Sequence, residues 1–174
     1  MATLRKMMGD MDSPECAALM KIMETQSKNT LTSWAAAYAQ KEYLPIYEKW
    51  CPENSRLREI AARCEDFTSG KIKIAELKPD LKEAREIAAQ TEHPTAQAAA
   101  RAVATACATA NTPSNAFGFL LYGAAAAAYD CLGLEAATEN YNRAATESLR
   151  KALTSLEGAA VANEAKPANI KWNC

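Results

Sequence analysis

The chain has 174 residues, of which 49% are apolar, 7% aromatic and 24% charged, and its formal net charge is −1. This length fits one domain with a real core, and the balanced charges include no basic block that could neutralise a row of phosphates, which argues against nucleic-acid binding. The six cysteines show no CxxC spacing, and the first eleven residues contain no apolar stretch typical of a secretory signal. We therefore expect free thiols and a cytoplasmic location.

Alanine dominates the apolar residues, and no run of alternating β-branched residues occurs, so helices are predicted throughout. The triplet Ser13-Pro14-Glu15 predicts the start of a first helix that ends near Gln26. Residues 29–32 can cap a second helix, which extends to Trp50. Pro45 lies inside this second helix and predicts a kink, because proline cannot donate a backbone hydrogen bond.

A third helix is predicted after Asn54 or Ser55, with an apolar face that continues to Phe67. Residues 71–90 form a fourth helical region, in which Pro79 either interrupts the helix or opens its main part. The breaks before both helices carry proline or glycine, which is typical of short connections between packed helices.

The second half of the chain predicts three more helices, over residues 96–110, 114–129 and 134–156. The fifth presents a seam of small residues, and the sixth is too short and too rich in alanine to span a bilayer. After Gly158 the sequence is mixed, and residues 159–174 are predicted to be a loosely held tail that docks through Ile170 and Trp172. The resulting expectation is an all-α, irregular bundle of about six to seven helices in one domain, residues 1–158, followed by that tail.

Sequence motifs for catalysis are missing. None of GxxxxGK[ST], GxGxxG, GxSxG and HExxH occurs, and His93 is the single histidine. We expect His93 to cap a helix or lie at the surface, and we predict no catalytic residue, no metal and no cofactor. Arg56 and Arg58 follow a break, and their guanidinium groups could clamp a carboxylate of a ligand or, more favoured, tie the third helix to a neighbouring element.

Several motifs between residues 31 and 130 occur in an order and spacing that resemble the immunity-protein family of bacterial polymorphic-toxin systems, in its five-like group of small helical proteins. The matching pieces are Trp34-Ala35-Ala36, Tyr43-Leu44-Pro45-Ile46-Tyr47-Glu48, Pro52 with Arg56-Leu57-Arg58-Glu59-Ile60, Phe67 with Gly70-Lys71-Ile72, Ala84-Arg85, Ala100 to Ala106, and the alanine-rich helix with Gly118 and Tyr122. The chain departs from the family pattern at four positions: Leu57 replaces a proline, Phe67 a tryptophan, and Cys107 and Asn115 stand where histidines are usual.

The resemblance implies an all-helical protein that binds and blocks a cognate toxin by protein–protein contact. Two other interpretations stay open. One is a helical small-molecule- or metal-binding protein whose pocket would unite Arg56, Arg58, His93 and Glu48. The other is an oligomeric scaffold such as a homodimer.

Candidate partner-binding residues lie in the loops around the third and fourth helices. They are the basic residues Arg56, Arg58, Lys71 and Lys73. Arginine in particular is enriched at the centre of protein interfaces. Trp50 lies in the same region, and we expect it to belong to the core.

Overall fold

The computed structural model describes residues 3–172, and within this range the chain is all-α, with no strand. This confirms the predicted fold class. Eight α-helices and one 3-10 turn follow each other in chain order: α1 Pro14–Met23, α2 Lys28–Glu42, α3 Leu44–Trp50, α4 Arg56–Thr68, α5 Ile74–Gln90, α6 Pro94–Cys107, the 3-10 turn Ala108–Ala110, α7 Asn115–Leu132 and α8 Thr138–Ala159.

The predicted second helix is in fact two helices, which accounts for the higher helix count. α2 ends at Glu42 and α3 begins at Leu44, so that Tyr43 alone joins them. Pro45 lies in the first turn of α3, where the backbone N–H that proline lacks would have no helical partner in any case. The predicted kink is therefore a complete break followed by a new helix.

The starts of α2 and α8 also differ from prediction, because side chains bond to the backbone locally. α2 begins earlier than expected, since the Ser27 hydroxyl accepts a hydrogen bond from the Thr30 amide at 3.1 Å. α8 begins later than expected: the Tyr141 hydroxyl donates to the Gly133 carbonyl at 2.6 Å and accepts from the Ala136 amide at 3.1 Å. These bonds hold the preceding residues in a turn.

Pro79 neither interrupts nor opens the fourth predicted helix. It lies inside α5, which is continuous around it. Pro79 and Ala75, whose carbonyl loses its helical partner, are both exposed. Water can therefore hydrate the freed carbonyl, and the surrounding turns preserve the helix.

α6 is the central helix of the bundle and packs against α2, α3, α4, α5 and α7. Its predicted seam is confirmed, since every member is buried: Ala96, Ala99, Val103, Ala106 and Ala110. Small side chains let neighbouring backbones approach closely, and α7 lies alongside with its own alanine-rich face. Among the described residues, no helix, α7 included, is long and apolar enough to cross a membrane.

Large side chains fill the space between α2, α7 and α8. The rings of Trp34, Tyr38, Tyr43 and Phe119 pack mostly edge to face, with centroids 5.5–6.2 Å apart. The Trp34 indole also donates to the Ser155 hydroxyl of α8 at 3.0 Å. This cluster is the bulky part of a core that alanine otherwise dominates.

The segment after α8 crosses back over the start of α2. The Gln26 side chain exchanges hydrogen bonds with both backbone groups of Val161, and the Gln26 carbonyl accepts from the Ala168 amide at 2.7 Å. The Glu164 carboxylate accepts from the Ser27 amide and the Thr30 hydroxyl. Polar bonds therefore hold this segment.

The docking expected of the two apolar tail residues is also present. Ile170 packs against the core, and the Trp172 ring meets Phe117 edge-on at 6.0 Å while its indole donates to Glu24 at 2.7 Å. The tail is thus held more firmly than the sequence indicated, because the hydrogen bonds to residues 24–30 add to these two apolar contacts.

Candidate interaction surface

Trp50 is not a core residue, and this corrects the prediction. Its side chain is 51% exposed and stacks on the His93 ring, with centroids 3.5 Å apart and planes 16° from parallel. α3 buries its apolar residues, among them Ile46 and Tyr47, towards α6. Trp50, the last residue of α3, meets His93 just before the first turn of α6, so its ring rests on an imidazole instead of on a helix.

The position of His93 at the start of α6 orders the stack. It is the N-cap of α6, and its Nδ1 accepts a hydrogen bond from the Thr95 amide at 3.2 Å. This confirms the predicted capping role. It also assigns Nε2 as the protonated nitrogen of the neutral ring, since Nδ1 must offer a lone pair. The cap fixes the orientation of the imidazole and therefore that of the indole stacked on it.

A depression of about 430 Å³ opens beside the stacked rings. It lies between the end of α3 and the end of α5, and its lining residues are Tyr47, Trp50, Cys51, Asn54, Ile87, Gln90, Thr91, Glu92 and His93. Burial and the neighbouring Cys51 thiol raise the pKa of Tyr47 to about 12, so its phenol remains protonated at neutral pH. Of the four residues expected to converge on a ligand pocket, His93 alone lines this depression.

Arg56 does not line the depression, and its guanidinium is engaged by three carboxylates. Its guanidinium donates to Glu83 at 2.6 and 3.0 Å, to Asp80 at 3.1 Å and to Glu59 at 2.9 Å. Arg63 donates to the other oxygen of Asp80 at 2.9 Å. These bonds, above all those to Glu83, raise the pKa of Arg56 further above its ordinary value. The network ties α4 to α5, which is the structural role favoured for Arg56 from the sequence.

Arg58 makes a similar tie to α3. It donates to both oxygens of Glu48, at 2.9 and 2.6 Å, and these bonds raise the pKa of Arg58 above its ordinary value. Glu48 lies two residues before Trp50 on α3, a spacing that points the two side chains to different sides of the helix. About half of the Arg58 side chain remains accessible to a partner, at 52% exposure.

Lys71 and Lys73 lie at the opposite end of the α4–α5 hairpin from Arg56. Both are exposed, and Lys71 makes only a distant ion pair with Asp66, at 3.9 Å. α4 has 13 residues, so the two ends of the hairpin are separated by about 20 Å along the helix. The structure thus divides the four predicted contact residues into two pairs and leaves the lysines more accessible than Arg56.

The positions where the resembling family has histidines serve structural purposes in this chain. The Cys107 thiol is buried against Cys64, and this contact together with burial raises the pKa of Cys107 well above its ordinary value. The Asn115 amide donates to the Ala108 carbonyl at 3.3 Å across the turn before α7. In residues 3–172 no group of three potential metal ligands is close enough to hold an ion.

The sequence did not predict the stack of Trp50 on His93. The two residues lie on different helices, and only the packing of α3 against α6 brings them together. One sequence signal was available: Trp50 is the last residue of its predicted helix, directly before the Cys51-Pro52 break, and a side chain at a helix end is difficult to bury.

Comparison with known proteins assigns the chain to a family. The family model described as Imm-5 like putative immunity protein matches residues 21–153, which include α2 to α7 and most of α8. The search of curated proteins and the search of solved structures gave no match. Because the family model matches well over half of the chain, the protein belongs to the Imm-5 like immunity protein family.

Proposed function

We propose that this protein is a non-enzymatic immunity protein, which binds a cognate bacterial toxin and neutralises it by direct contact. The family membership supports this role. The observation that carries the choice of surface is the exposed Trp50 stacked on His93, together with the half-exposed Arg58, which bonds to Glu48 of the same helix α3. Tryptophan and arginine are the residues most enriched among those that dominate the affinity of protein interfaces.

The stack favours binding because it is already ordered before a partner arrives. The Trp50 ring rests on an imidazole whose own orientation is fixed by the N-cap of α6. Little side-chain entropy therefore remains to be lost on association, which leaves more of the contact free energy as affinity. The depression of about 430 Å³ beside the stack gives a partner side chain a place to insert.

The four basic candidates take different roles in this proposal. Arg58 is bonded to Glu48 of α3 and can exchange or share this partner with a toxin carboxylate, whereas Arg56 mainly holds α4 on α5. Lys71 and Lys73 would contact the periphery. A typical interface covers about 800 Å² on each partner, a patch roughly 30 Å across, which is wide enough to reach both ends of the α4–α5 hairpin.

The test is co-expression with the product of the neighbouring toxin gene, followed by pull-down and a growth-protection assay. Trp50→Ala and the double variant Arg58→Glu/Lys71→Glu should each weaken binding at least tenfold while the circular dichroism spectrum stays that of the parent. Val161→Ala serves as the control for Trp50, because Val161 is an apolar residue of similar exposure at 49% and lies in the tail, outside the proposed surface.

Three results would count against the proposal in different ways. A parent that neither binds nor protects removes the immunity function. Full binding by folded Trp50→Ala and by the double variant keeps the function but discards this surface. A parent that light scattering shows to be a dimer, and that Trp50→Ala converts to a monomer, would favour the oligomeric scaffold instead.

A further inference from the structure

α5 carries opposite charges along two of its edges. The acidic edge comprises Glu76, Asp80 and Glu83, and the basic edge comprises Lys78, Lys82 and Arg85, each set with the spacing i, i+4, i+7. This spacing places each set in one row along the helix. The two rows differ in what they face.

The acidic edge faces α4, and its three carboxylates accept hydrogen bonds within the molecule. Asp80 and Glu83 accept hydrogen bonds from Arg56, and Asp80 also accepts from Arg63. The Glu76 carboxylate accepts from the Lys73 amide at 2.7 Å and caps the start of α5. These carboxylates are consequently occupied within the molecule.

The basic edge has no such counter-charge. Across residues 3–172, none of Lys78, Lys82 and Arg85 makes an ion pair with a carboxylate. Glu86 lies four residues after Lys82 on α5, but the elements opposite the basic edge offer no carboxylate, because no Asp or Glu occurs between Glu92 and Asp130. α6, the 3-10 turn and nearly all of α7 therefore have no carboxylate to offer.

The three cations border a concave surface. They line a depression of about 320 Å³, whose opposite wall is the turn between α6 and α7, with Asn111, Thr112 and Asn115. Hydroxyl and amide groups on that wall are neutral hydrogen-bonding partners. A cavity with cations on one side and neutral polar groups on the other favours an anionic group over an apolar or cationic one.

We infer that the basic edge of α5 is a docking surface for an acidic segment of the toxin, which would present carboxylate side chains to Lys78, Lys82 and Arg85. The inference rests on the proposed function and adds the chemistry of the partner to it. The three cations span about 10 Å along the helix, a length that suits two or three carboxylates of one peptide segment. A nucleic acid would require a longer row of cations, and the whole chain is slightly acidic.

Charges without internal partners act mainly on the rate of encounter. An uncompensated cationic patch steers an acidic partner from a distance of about one Debye length, an effect that salt screens. We expect association of the complex to slow at least threefold when sodium chloride rises from 50 to 300 mM. Most of this salt dependence should come from the basic edge.

The experiment measures association and dissociation rates of the full chain with the purified toxin from the neighbouring gene. In Lys78→Glu/Lys82→Glu/Arg85→Glu the association rate constant should fall at least tenfold at 50 mM salt, and its salt dependence should largely vanish. The control Lys21→Glu/Lys28→Glu/Arg143→Glu makes the same change of charge at exposed positions on α1, α2 and α8, and should change the rate less than threefold.

The outcomes separate this inference from the proposed function. Toxin binding by the parent, together with an unchanged rate for the basic-edge variant or an equal loss for the control, would overturn the docking surface and leave the immunity function in place. A parent that does not bind toxin would remove both. Tight binding of a labelled 20-nucleotide DNA that the basic-edge variant loses would assign the edge to nucleic acid and overturn the acidic-segment inference.

Discussion

The Tyr43 ring occupies the space that a side chain on Gly123 would need. A Cβ at Gly123 would lie 2.1 Å from Cζ of Tyr43 and within 2.6 Å of two more ring carbons. Tyr43 is also the single residue between α2 and α3, and its ring is almost fully buried. The absence of a side chain on α7 at this point therefore fixes where the α2–α3 junction lies.

Gly123→Ala should destabilise the fold, because neither the ring nor the helix backbone can move away freely. We expect the free energy of unfolding to fall by about 1–3 kcal/mol, even though alanine is favoured over glycine in a helix by about 0.5–1 kcal/mol. Urea denaturation measures the change. Gly118→Ala is the matched control on the same helix: its Cβ would lie 3.8 Å from Thr105 Cγ2, an ordinary contact, so stability should stay equal or rise.

Larger side chains on α6 should also overpack the core. Ala99 and Ala106 are fully buried on the central helix, so Ala99→Leu and Ala106→Leu should each lower the free energy of unfolding by about 1–3 kcal/mol. Ala62→Leu, at an exposed position of α4, makes the same chemical change without this crowding. If the buried variants unfold at the same urea concentration as Ala62→Leu, the buried face of α6 tolerates larger side chains and is not tightly packed.

The Glu164 carboxylate should make the docking of the tail depend on pH. Hydrogen bonds from Thr30 and Ser27 lower the pKa of Glu164 below its ordinary value. Because the pKa of Glu164 is lower in the folded chain than in the unfolded chain, where it is about 4.3, the ionised carboxylate stabilises the fold above that pH. This stabilisation is lost as the pH falls through the pKa of the folded chain. The partly exposed bonds should contribute about 1 kcal/mol.

The comparison with Glu164→Gln checks this prediction. The difference in unfolding free energy between parent and variant should be constant from pH 7 to pH 5 and should shrink below about pH 4. Glu157→Gln is the control, since Glu157 is exposed on the last turns of α8. A difference that persists unchanged at pH 3 would show that the carboxylate charge is not what holds the tail.

The cysteines should differ strongly in their reactivity. Cys131 is exposed, whereas Cys64 and Cys107 are buried against each other, and the raised pKa of Cys107 keeps its thiol protonated. Since the thiolate is the reactive form, iodoacetamide should modify Cys131 within minutes and the buried pair only after unfolding. Peptide mass spectrometry of the native protein distinguishes these sites. Cys174, the sixth cysteine, which we also expect to be a free thiol, lies outside the described residues.

The helices could be predicted from the sequence because their signals are local. Ser13 caps α1 as expected, with its hydroxyl accepting from the Cys16 amide at 3.2 Å, and the buried seam of α6 follows directly from the spacing of its alanines. The break at Pro45 was harder to predict, since proline is compatible both with a kinked helix and with the first turn of a new one.

Contacts between distant segments could not be predicted in this way. Lys151 lies four residues after Glu147, a spacing that favours an ion pair along the helix, but it pairs with Glu42 of α2 at 2.7 Å. The Trp50–His93 stack has the same origin, because periodicity places Trp50 on an apolar face and cannot show where α6 begins beneath it. Side-chain partners across helices depend on packing angles, which no local pattern encodes.

The hydrogen bonds of the tail also affect the rate at which the molecule unfolds. α8 already packs on α1, α2 and α7, and the bonds between Gln26 and Val161 add a contact between segments that lie far apart in the sequence. Because the tail lies over helices that must already be in place, and closing a long loop costs chain entropy, we expect it to dock after the transition state for folding. Interactions that are absent from the transition state slow unfolding without accelerating folding. The strap formed by residues 161–172 should therefore act as a kinetic lock, which prolongs the lifetime of the folded chain more than it speeds its assembly.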